Sequence, residues 1–296
     1  MQIPTNAFYD RAAQSMRGLT VQADSLQTQI STGKKLATPS QDAAAYQRLA
    51  TLKRANADAT GYAANLSLSA SLLSSADTTL SAMTDQLQRA NELTLQARTG
   101  TQNDSSRRAI ADELDQIVES LVALGNTRDP RGQPLFGGAA GDAAVTRTGG
   151  SFTFAAVPLT PIAIGDSQAV QPTETAARIF QSGGTDILAA LGQFSTALKA
   201  GGNIDAAATT ALADLDRSSL QVTTIQASLG ARAARVDLEQ AQQTSAGVNR
   251  EIVRSALEDT DIASAITQLQ KTMTILSATQ ASFSKLSSLT LFNYIK

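Results

Sequence analysis

An uninterrupted helical pattern from Gln41 to about Thr99 limits the possible folds of this chain more than any other stretch. One stripe of it advances in alternating steps of three and four, through Leu52, Ala59, Tyr62, Leu66, Ser69, Leu73, Ala76, Leu80, Met83, Leu87 and Ala90. Such spacing predicts a helix that packs lengthwise against other helices. Leu68, Leu72 and Leu95 widen the apolar face, which favours a bundle over a two-stranded coil. A helix of this length measures roughly 85 Å, which indicates an elongated structural or assembly protein.

The composition excludes several classes of function. The chain has 296 residues, a formal net charge of −2, and no Cys, His or Trp. A charge this close to neutral argues against nucleic acid or an anionic membrane as the main partner. Without Cys there is no disulfide framework and no thiolate metal site, and without His the commonest general base is missing. We therefore predict no catalytic residue, no cofactor and no metal site.

The N-terminal region does not look like a cleaved export signal. Residues 1–36 lack the apolar core and small-residue cleavage site of a secretory signal peptide. No apolar run reaches the length of a transmembrane helix. We expect a soluble protein that is exported, if at all, by a route without a cleaved signal peptide.

The two ends of the chain mirror each other. A narrow apolar stripe runs over residues 9–30, and Gly33 is placed to end that helix. A second long helical run covers residues 205–257, and the acidic stretch 259–261 can start a last helix with a stripe over 262–286. Because the outgoing and returning runs match in length, we predict that they pack antiparallel, with both termini at one end.

The middle of the chain changes character. Asp104 or Ser105 can cap a helix that ends at Gly125, and Asp186 can cap another. Between them, Gly149-Gly150 separates alternating segments that predict a β-hairpin. The predicted fold class is mainly α: an elongated antiparallel bundle of long helices, with coiled-coil termini and a small β-containing insert.

These patterns divide the chain into three parts. Residues 1–40 and 258–296 form a predicted terminal coiled-coil assembly domain. Residues 41–138 and 176–257 form a predicted helical rod domain. Residues 139–175 form a small β-rich insert, too short to hold a large core by itself.

Several motifs carry a resemblance to a known family. Residues 22–50 read QADSLQTQISTGKKLATPSQDAAAYQRLA, which resembles the N-terminal signature of the bacterial flagellin superfamily. Within it, the chain is similar to the hook-associated protein 3 family of the hook–filament junction. The supporting motifs are Met1-Gln2-Ile3-Pro4-Thr5-Asn6 with Tyr9, Leu135-Phe136-Gly137-Gly138, and the ending Leu289-Thr290-Leu291-Phe292-Asn293-Tyr294-Ile295. The resemblance covers roughly 1–138 and 176–296.

The resemblance implies a non-enzymatic structural subunit of the bacterial flagellum. Its terminal helices would form an inner tubular layer, and copies would form a short ring between hook-associated protein 1 and flagellin. Export would run unfolded through the flagellar type III apparatus with the help of a chaperone, to the extracellular hook–filament junction. Alternatives are a short flagellin that forms the filament itself, or an adhesin or enzyme carried on the insert.

The predicted assembly interface consists of apolar stripe residues of the two terminal helices. Its members are Met16, Leu19, Leu26, Ile30, Ile262, Ile266, Leu269, Met273, Leu276, Phe283, Leu286, Leu291 and Phe292. The stripes also contain Ala12, Ala23 and Gln280, so a lone pair of such helices buries little. We therefore hypothesise that residues 1–33 and 262–296 are mobile in the free subunit and order on assembly. The alternative is an ordinary intramolecular coiled coil.

Other conspicuous residues have plainer interpretations. Lys34-Lys35 is predicted to be a solvated turn, and Leu135-Phe136 to be core packing. Glu258 belongs to an acidic group that helix capping explains. Four carboxylates of the 110–124 helix are predicted to form a solvated outer face, namely Asp112, Glu113, Asp115 and Glu119.

Overall fold

The computed structural model describes residues 5–36, 38–99, 103–137 and 143–288. Its helices are α1 (Thr5–Thr32), α2 (Ala43–Arg98), α3 (Asp104–Gly125), α4 (Ala176–Phe180), α5 (Ile187–Ala200), α6 (Asp205–Glu258) and α7 (Ile262–Ser288). Its strands form antiparallel pairs: β1 (Val145–Thr148) with β2 (Ser151–Phe154), β3 (Ile162–Gly165) with β4 (Gln168–Val170), and β5 (Gln181–Ser182) with β6 (Thr185–Asp186). The predicted mainly α fold with long helices and a small β-containing segment is confirmed.

The chain divides into two compact units. The first unit comprises Met1–Ala57 and Ser245–Lys296, and the second comprises Asp58–Thr244. Both boundaries fall inside long helices, α2 and α6. The three-part division made from the sequence places its boundaries elsewhere and stays a prediction.

The core of the second unit is built on the stripe predicted for α2. Leu80 and Met83 are fully buried, as are most of their stripe neighbours. Leu72, one of the off-stripe leucines, is also buried, but Leu95 is 50% exposed and does not widen the packed face. Along α2 and α6, Leu73 and Leu229 line one groove and Asn91 bonds to Asp216 at 3.5 Å, so these two helices run antiparallel within this unit.

The predicted hairpin exists and packs into the same core. Gly149 and Gly150 both have positive φ, 57° and 95°, as a tight two-residue turn between strands requires. Val145 of β1 is buried against the end of α3, where a Cβ on Gly125 would lie 2.7 Å from its Cγ2 atom. Phe154 of β2 stacks on Phe180 of α4, with ring centroids 5.6 Å apart.

Two helix starts differ from the prediction. Asn103, not Asp104 or Ser105, caps α3 by accepting from the backbone N–H three residues on, at 2.8 Å. At the start of α2 the sequence predicts Ser40 as the cap, because serine is a favoured capping residue, but Asp42 makes the equivalent bond, at 2.9 Å. An oxygen three residues before the N–H has the reach that a cap needs. The patterns therefore located both helices correctly but misplaced their caps by one or two residues.

Candidate assembly interface

In the first unit, α1 packs antiparallel along α7. The ring of Tyr9 meets the ring of Phe283 edge to face, with centroids 5.5 Å apart and planes at 88°. At the other end of the pair, the backbone N–H of Thr260 donates to the carbonyl oxygen of Gly33 at 2.9 Å. The start of α1 therefore lies beside the end of α7.

The structure brings the predicted residues of α1 onto one face. Leu26 is only 6% exposed, as is Ala23 between its stripe neighbours. Met16, Leu19 and Ile30 are half-buried. Since few of these side chains are fully enclosed, the pair leaves part of its apolar surface in contact with solvent.

On α7, the packed face is rotated away from the predicted stripe. Leu269, Leu276 and Phe283 are half-buried, as the prediction requires. The most deeply buried positions are Ala265 at 4% and Thr272 at 5% exposure, which the sequence pattern did not select. Small side chains at these positions allow two helices to approach closely. A search for large apolar side chains at helical spacing does not select Ala or Thr, so the sequence pattern missed them.

The rest of the predicted α7 stripe faces outward. Ile262 is 48% exposed, Ile266 is 40% and Met273 is 50%, and Ile275 on another side of the helix is 43%. A large apolar side chain at this exposure gains little from the fold of the subunit. Leu291 and Phe292 lie outside the described residues, as does the side chain of Leu286.

Further exposed apolar side chains occur in this unit, at the end of α6. Val248 is 57% exposed, Ile252 is 61% and Val253 is 47%. Val253 also lines a groove of about 520 Å³ together with Leu52 and neighbouring residues of α2. The first unit thus carries more than one outward apolar surface.

A set of backbone hydrogen bonds ties the end of α1 to the junction between α6 and α7. Lys34 and Asp259 form an isolated antiparallel β-bridge. The backbone N–H of Lys35 donates to the carbonyl oxygen of Glu258 at 2.8 Å, and its Nζ donates to that of Ala256 at 2.7 Å. We call these residues, with Arg254, the clasp. The clasp sets the register of α1 against α7.

The charged centre of the clasp is the carboxylate of Glu258. Its side chain is 4% exposed and pairs with Lys34 Nζ at 2.6 Å and with Arg254 Nη1 at 2.8 Å. The bond from Lys34 holds the pKa of Glu258 below its usual range, although burial opposes that shift. The side chain of Lys34 is 50% exposed, as a solvated turn requires, but it also forms an ion pair with Glu258. Glu258 therefore does more than cap a helix. No local sequence pattern indicates an ion pair between two residues that lie 224 positions apart in the chain.

The carboxylates of α3 lie on a solvent-exposed face, as predicted, with side chains 44% to 72% exposed, and they are also paired. They bind cations of neighbouring elements: Asp112 and Asp115 bind Lys199, Glu113 binds Arg89, and Glu119 binds Arg147. Burial raises the pKa of Asp115, but the bonds from Lys199 and Ser195 together with the nearby positive charges outweigh burial, and the net shift is downward. Within the described ranges, no cluster of three or more acidic side chains is placed to hold a metal ion. No helix in the described ranges combines the length and apolar character needed to cross a membrane.

Leu135 and Phe136 are core residues, as predicted. They are 1% and 0% exposed, and the carbonyl oxygen of Phe136 accepts from the N–H of Ala176 at 2.8 Å. The preceding turn is held by Asp129, whose carboxylate accepts backbone bonds from Arg131 at 2.8 Å and a residue beyond it. This segment therefore supports the fold as part of the core.

Comparison with known proteins gives this arrangement a family context. Residues 3–140 match the model of the bacterial flagellin N-terminal helical region. The chain is 33% identical to flagellar hook-associated protein 3 of Salmonella typhimurium over 141 residues, 47% of this chain and 44% of that protein. It is 28% identical to a flagellin of Listeria monocytogenes over 130 residues, 43% of this chain and 44% of the relative. The resemblance to the flagellin superfamily and to hook-associated protein 3 is confirmed.

A solved structure supports the fold. A protein of Vibrio parahaemolyticus assigned as a flagellar hook-associated protein superposes with a TM-score of 0.69 at 21% identity, covering 74% of this chain and 100% of that one. At this identity the likeness concerns the fold alone. The curated relatives are matched over less than half of their length.

Proposed function

We propose that this chain, with its flagellin-type N-terminal helical region, is a non-enzymatic structural protein of the bacterial flagellum that joins the hook to the filament. The observation that carries the proposal is the 33% identity to hook-associated protein 3, which exceeds the 28% identity to a flagellin. The matched residues 3–140 include α1, α2 and α3, so the likeness lies in the helical body of the chain.

The outward apolar face of α7 supports an assembly role. Ile262, Ile266 and Met273 are 40% to 50% exposed, whereas the adjacent face of the helix, with Ala265 and Thr272, is buried in the pair with α1. A helix pair with one apolar face left over is suited to pack against identical pairs in a tube. The predicted interface thus has two functions: Leu269 and Leu276 hold the pair together, and the exposed residues contact neighbouring copies.

The proposed partners follow from this location. They are hook-associated protein 1 on the hook side, flagellin on the filament side, and further copies in the ring. We propose export without a cleaved signal peptide, assisted by a chaperone, to an extracellular position at the hook–filament junction. Copies in the ring would supply the apolar surface that covers Ile266 and its neighbours.

Imaging of cells that lack this protein tests the proposal. We expect intact hooks without filaments, and flagellin monomers released into the medium. Restoring the gene should restore attached filaments. Filaments of normal length on the deletion strain would contradict the junction role.

A polymerisation assay separates the junction role from a short flagellin. A flagellin extends into long filaments from seeds of its own kind, whereas a junction protein stops at a ring or stays monomeric. We expect no long filament from the purified chain at any salt or precipitant condition that polymerises flagellin. Growth of long filaments would assign the chain to the flagellins instead.

A further inference from the structure

One face of α6 within the second unit carries an exposed apolar stripe. It advances in alternating steps of four and three through Leu220, Thr224, Ala227, Ala231, Ala234 and Leu238. Leu220 is 70% exposed and Leu238 is 60%, while the opposite stripe, with Val222, Leu229 and Val236, is buried in the core. Two separate 3.5-residue stripes on one helix indicate that it can pack on both sides.

The exposed stripe can be buried without leaving a polar group unpaired. Its only hydroxyl, on Thr224, already donates to the carbonyl oxygen of Leu220 at 2.8 Å. The central positions are Ala227, Ala231 and Ala234, whose small side chains let a second helix come close to the backbone. At its N-terminal end the stripe is bounded by a guanidinium, that of Arg217, which is held to Asp214 at 2.8 Å.

The stripe has nearly the same side chains when read from either end. Counted from the level of Leu229, leucines lie nine residues away on both sides, at Leu220 and Leu238. Thr224 and Ala234 lie five residues away, and the two remaining alanines lie two residues away. A stripe with this symmetry is complementary to an antiparallel copy of itself, and each large residue then faces a large one.

The charges beside the stripe are compatible with the same pairing. In an antiparallel pair, Arg235 comes level with Thr223 of the second copy and Asp237 with Gln221 of the second copy. Both charged residues are exposed in the subunit. No like charges are opposed near the centre, so pairing carries no electrostatic penalty that would forbid it.

We propose that two copies of this chain pair antiparallel through α6, with Leu220 of each copy opposite Leu238 of the other. The contact closes on two copies, because a two-fold interface uses the same surface on both partners. It therefore differs from the head-to-tail contact of a ring, and describes the free protein. It does not depend on the proposed function.

The expected dimer is weak. The stripe extends over about 27 Å at roughly 1.5 Å per residue, and a single helix pair of that length buries less than the standard interface of about 1,600 Å². Association should depend on protein concentration and little on salt, since the contact is apolar.

Engineered cysteines test the geometry, because the natural chain contains none. In the full chain, A231C should cross-link to itself with a bismaleimide that spans about 10 Å, since the two positions lie about 6 Å apart along the axes. L238C should not cross-link to itself, because its copies lie about 27 Å apart along the axes. An equal mixture of L220C and L238C should give a cross-linked heterodimer. Failure of A231C to cross-link, or equal cross-linking of L238C with itself, would overturn the proposal.

Sedimentation equilibrium tests the energetics. L238E should weaken dimerisation by at least about 10-fold, since it places a charge opposite an apolar side chain in a closed contact. L95E is the matched control, because Leu95 is a 50% exposed leucine on α2 outside the stripe, and it should leave the dimer unchanged. Circular dichroism verifies that both variants are folded. A wild-type chain that stays monomeric up to about 1 mM, or equal effects of both variants, would refute pairing through α6.

Discussion

At the scale of single residues, the clasp rests on one buried carboxylate. Glu258 accepts from Lys34 at 2.6 Å and from Arg254 at 2.8 Å, while its side chain is almost fully enclosed. Removing one member of such a group leaves the others without a counter-charge in a site that water reaches poorly. Replacing one carboxylate oxygen of Glu258 by an amide nitrogen should therefore be enough to weaken the clasp.

We expect Glu258→Gln to lower the free energy of unfolding by about 1–3 kcal/mol at neutral pH. The pKa of Glu258 is lowered in the folded protein, so its stabilising contribution is complete above the ordinary glutamate value of about 4.3 and is lost as the pH falls through the folded value. The difference from wild type should therefore shrink in acid. Urea unfolding at several pH values, followed by circular dichroism, measures it.

Glu251→Gln is the matched control for this prediction. Glu251 also pairs with Arg254, at 2.7 Å, but its side chain is 61% exposed. Solvent screens an exposed pair, so the midpoint of unfolding should change much less than for the Glu258 variant. Equal effects of the two variants at neutral pH would show that burial of Glu258 is unimportant.

At the scale of elements, the N-cap residue of α5 contributes to stability in two ways, through its hydrogen bonds and through its charge, and substitutions can distinguish them. Asp186 accepts from the backbone N–H groups of Leu188 at 2.9 Å and Ala189 at 3.2 Å. Burial raises the pKa of this carboxyl, although both backbone bonds act in the opposite direction. The folded protein therefore binds this proton more tightly than the unfolded chain, and ionisation of Asp186 costs stability as the pH rises.

We expect Asp186→Asn to be at least as stable as wild type at neutral pH, because Asn caps equally well and carries no charge. Asp186→Ala should lose about 1 kcal/mol, since it removes the cap. Urea unfolding of the three proteins compares them. An Asn variant as unstable as the Ala variant would contradict this account of the cap.

The exposed side of α7 leads to a second prediction about an element. Ile266→Glu should leave the unfolding midpoint of the free subunit nearly unchanged, because the side chain is 40% exposed. It should abolish attached filaments in cells, because a charge would then lie in the proposed contact between copies. Thr267→Glu, at an exposed polar position one residue on, is the control and should retain filaments. Motility and electron microscopy of complemented cells give the result.

At the scale of the whole molecule, the two units differ in how completely their apolar residues are enclosed. In the second unit, α2 contributes side chains with no exposed surface, such as Leu80 and Met83. In the first unit, most of the facing residues of α1 and α7 are only half-buried, and the deepest on α7 are Ala265 and Thr272. Burial of small or partly exposed side chains contributes little free energy per residue.

We therefore expect amide exchange in the free monomer to be slowest in the α2 segment 66–97 and faster in α1 and α7. This pattern would support the hypothesis that the terminal helices become firmly ordered only on assembly. Exchange is measured by mass spectrometry at a concentration where the protein is verified as monomeric. Equal protection of the backbone amides of α1, α7 and the α2 segment from exchange would contradict the hypothesis.

The sequence by itself determined the helices, because their signals are local. The three-four stripe of α2, the stop at Gly33, the glycine turn of the hairpin and the buried Leu135-Phe136 are all readable from side-chain periodicity and turn chemistry. The flagellin-type motifs are local too, and they indicated the resemblance that the comparisons confirmed.

Only the tertiary structure decided which faces meet. The rotation of α7 onto Ala265 and Thr272 depends on how closely two backbones approach, and the pairing of Lys34 with Glu258 joins residues 224 positions apart. A sequence pattern shows that a helix has an apolar side but not which part of that side another helix covers. That choice is made by packing and by long-range charge pairing, which carry no local signal.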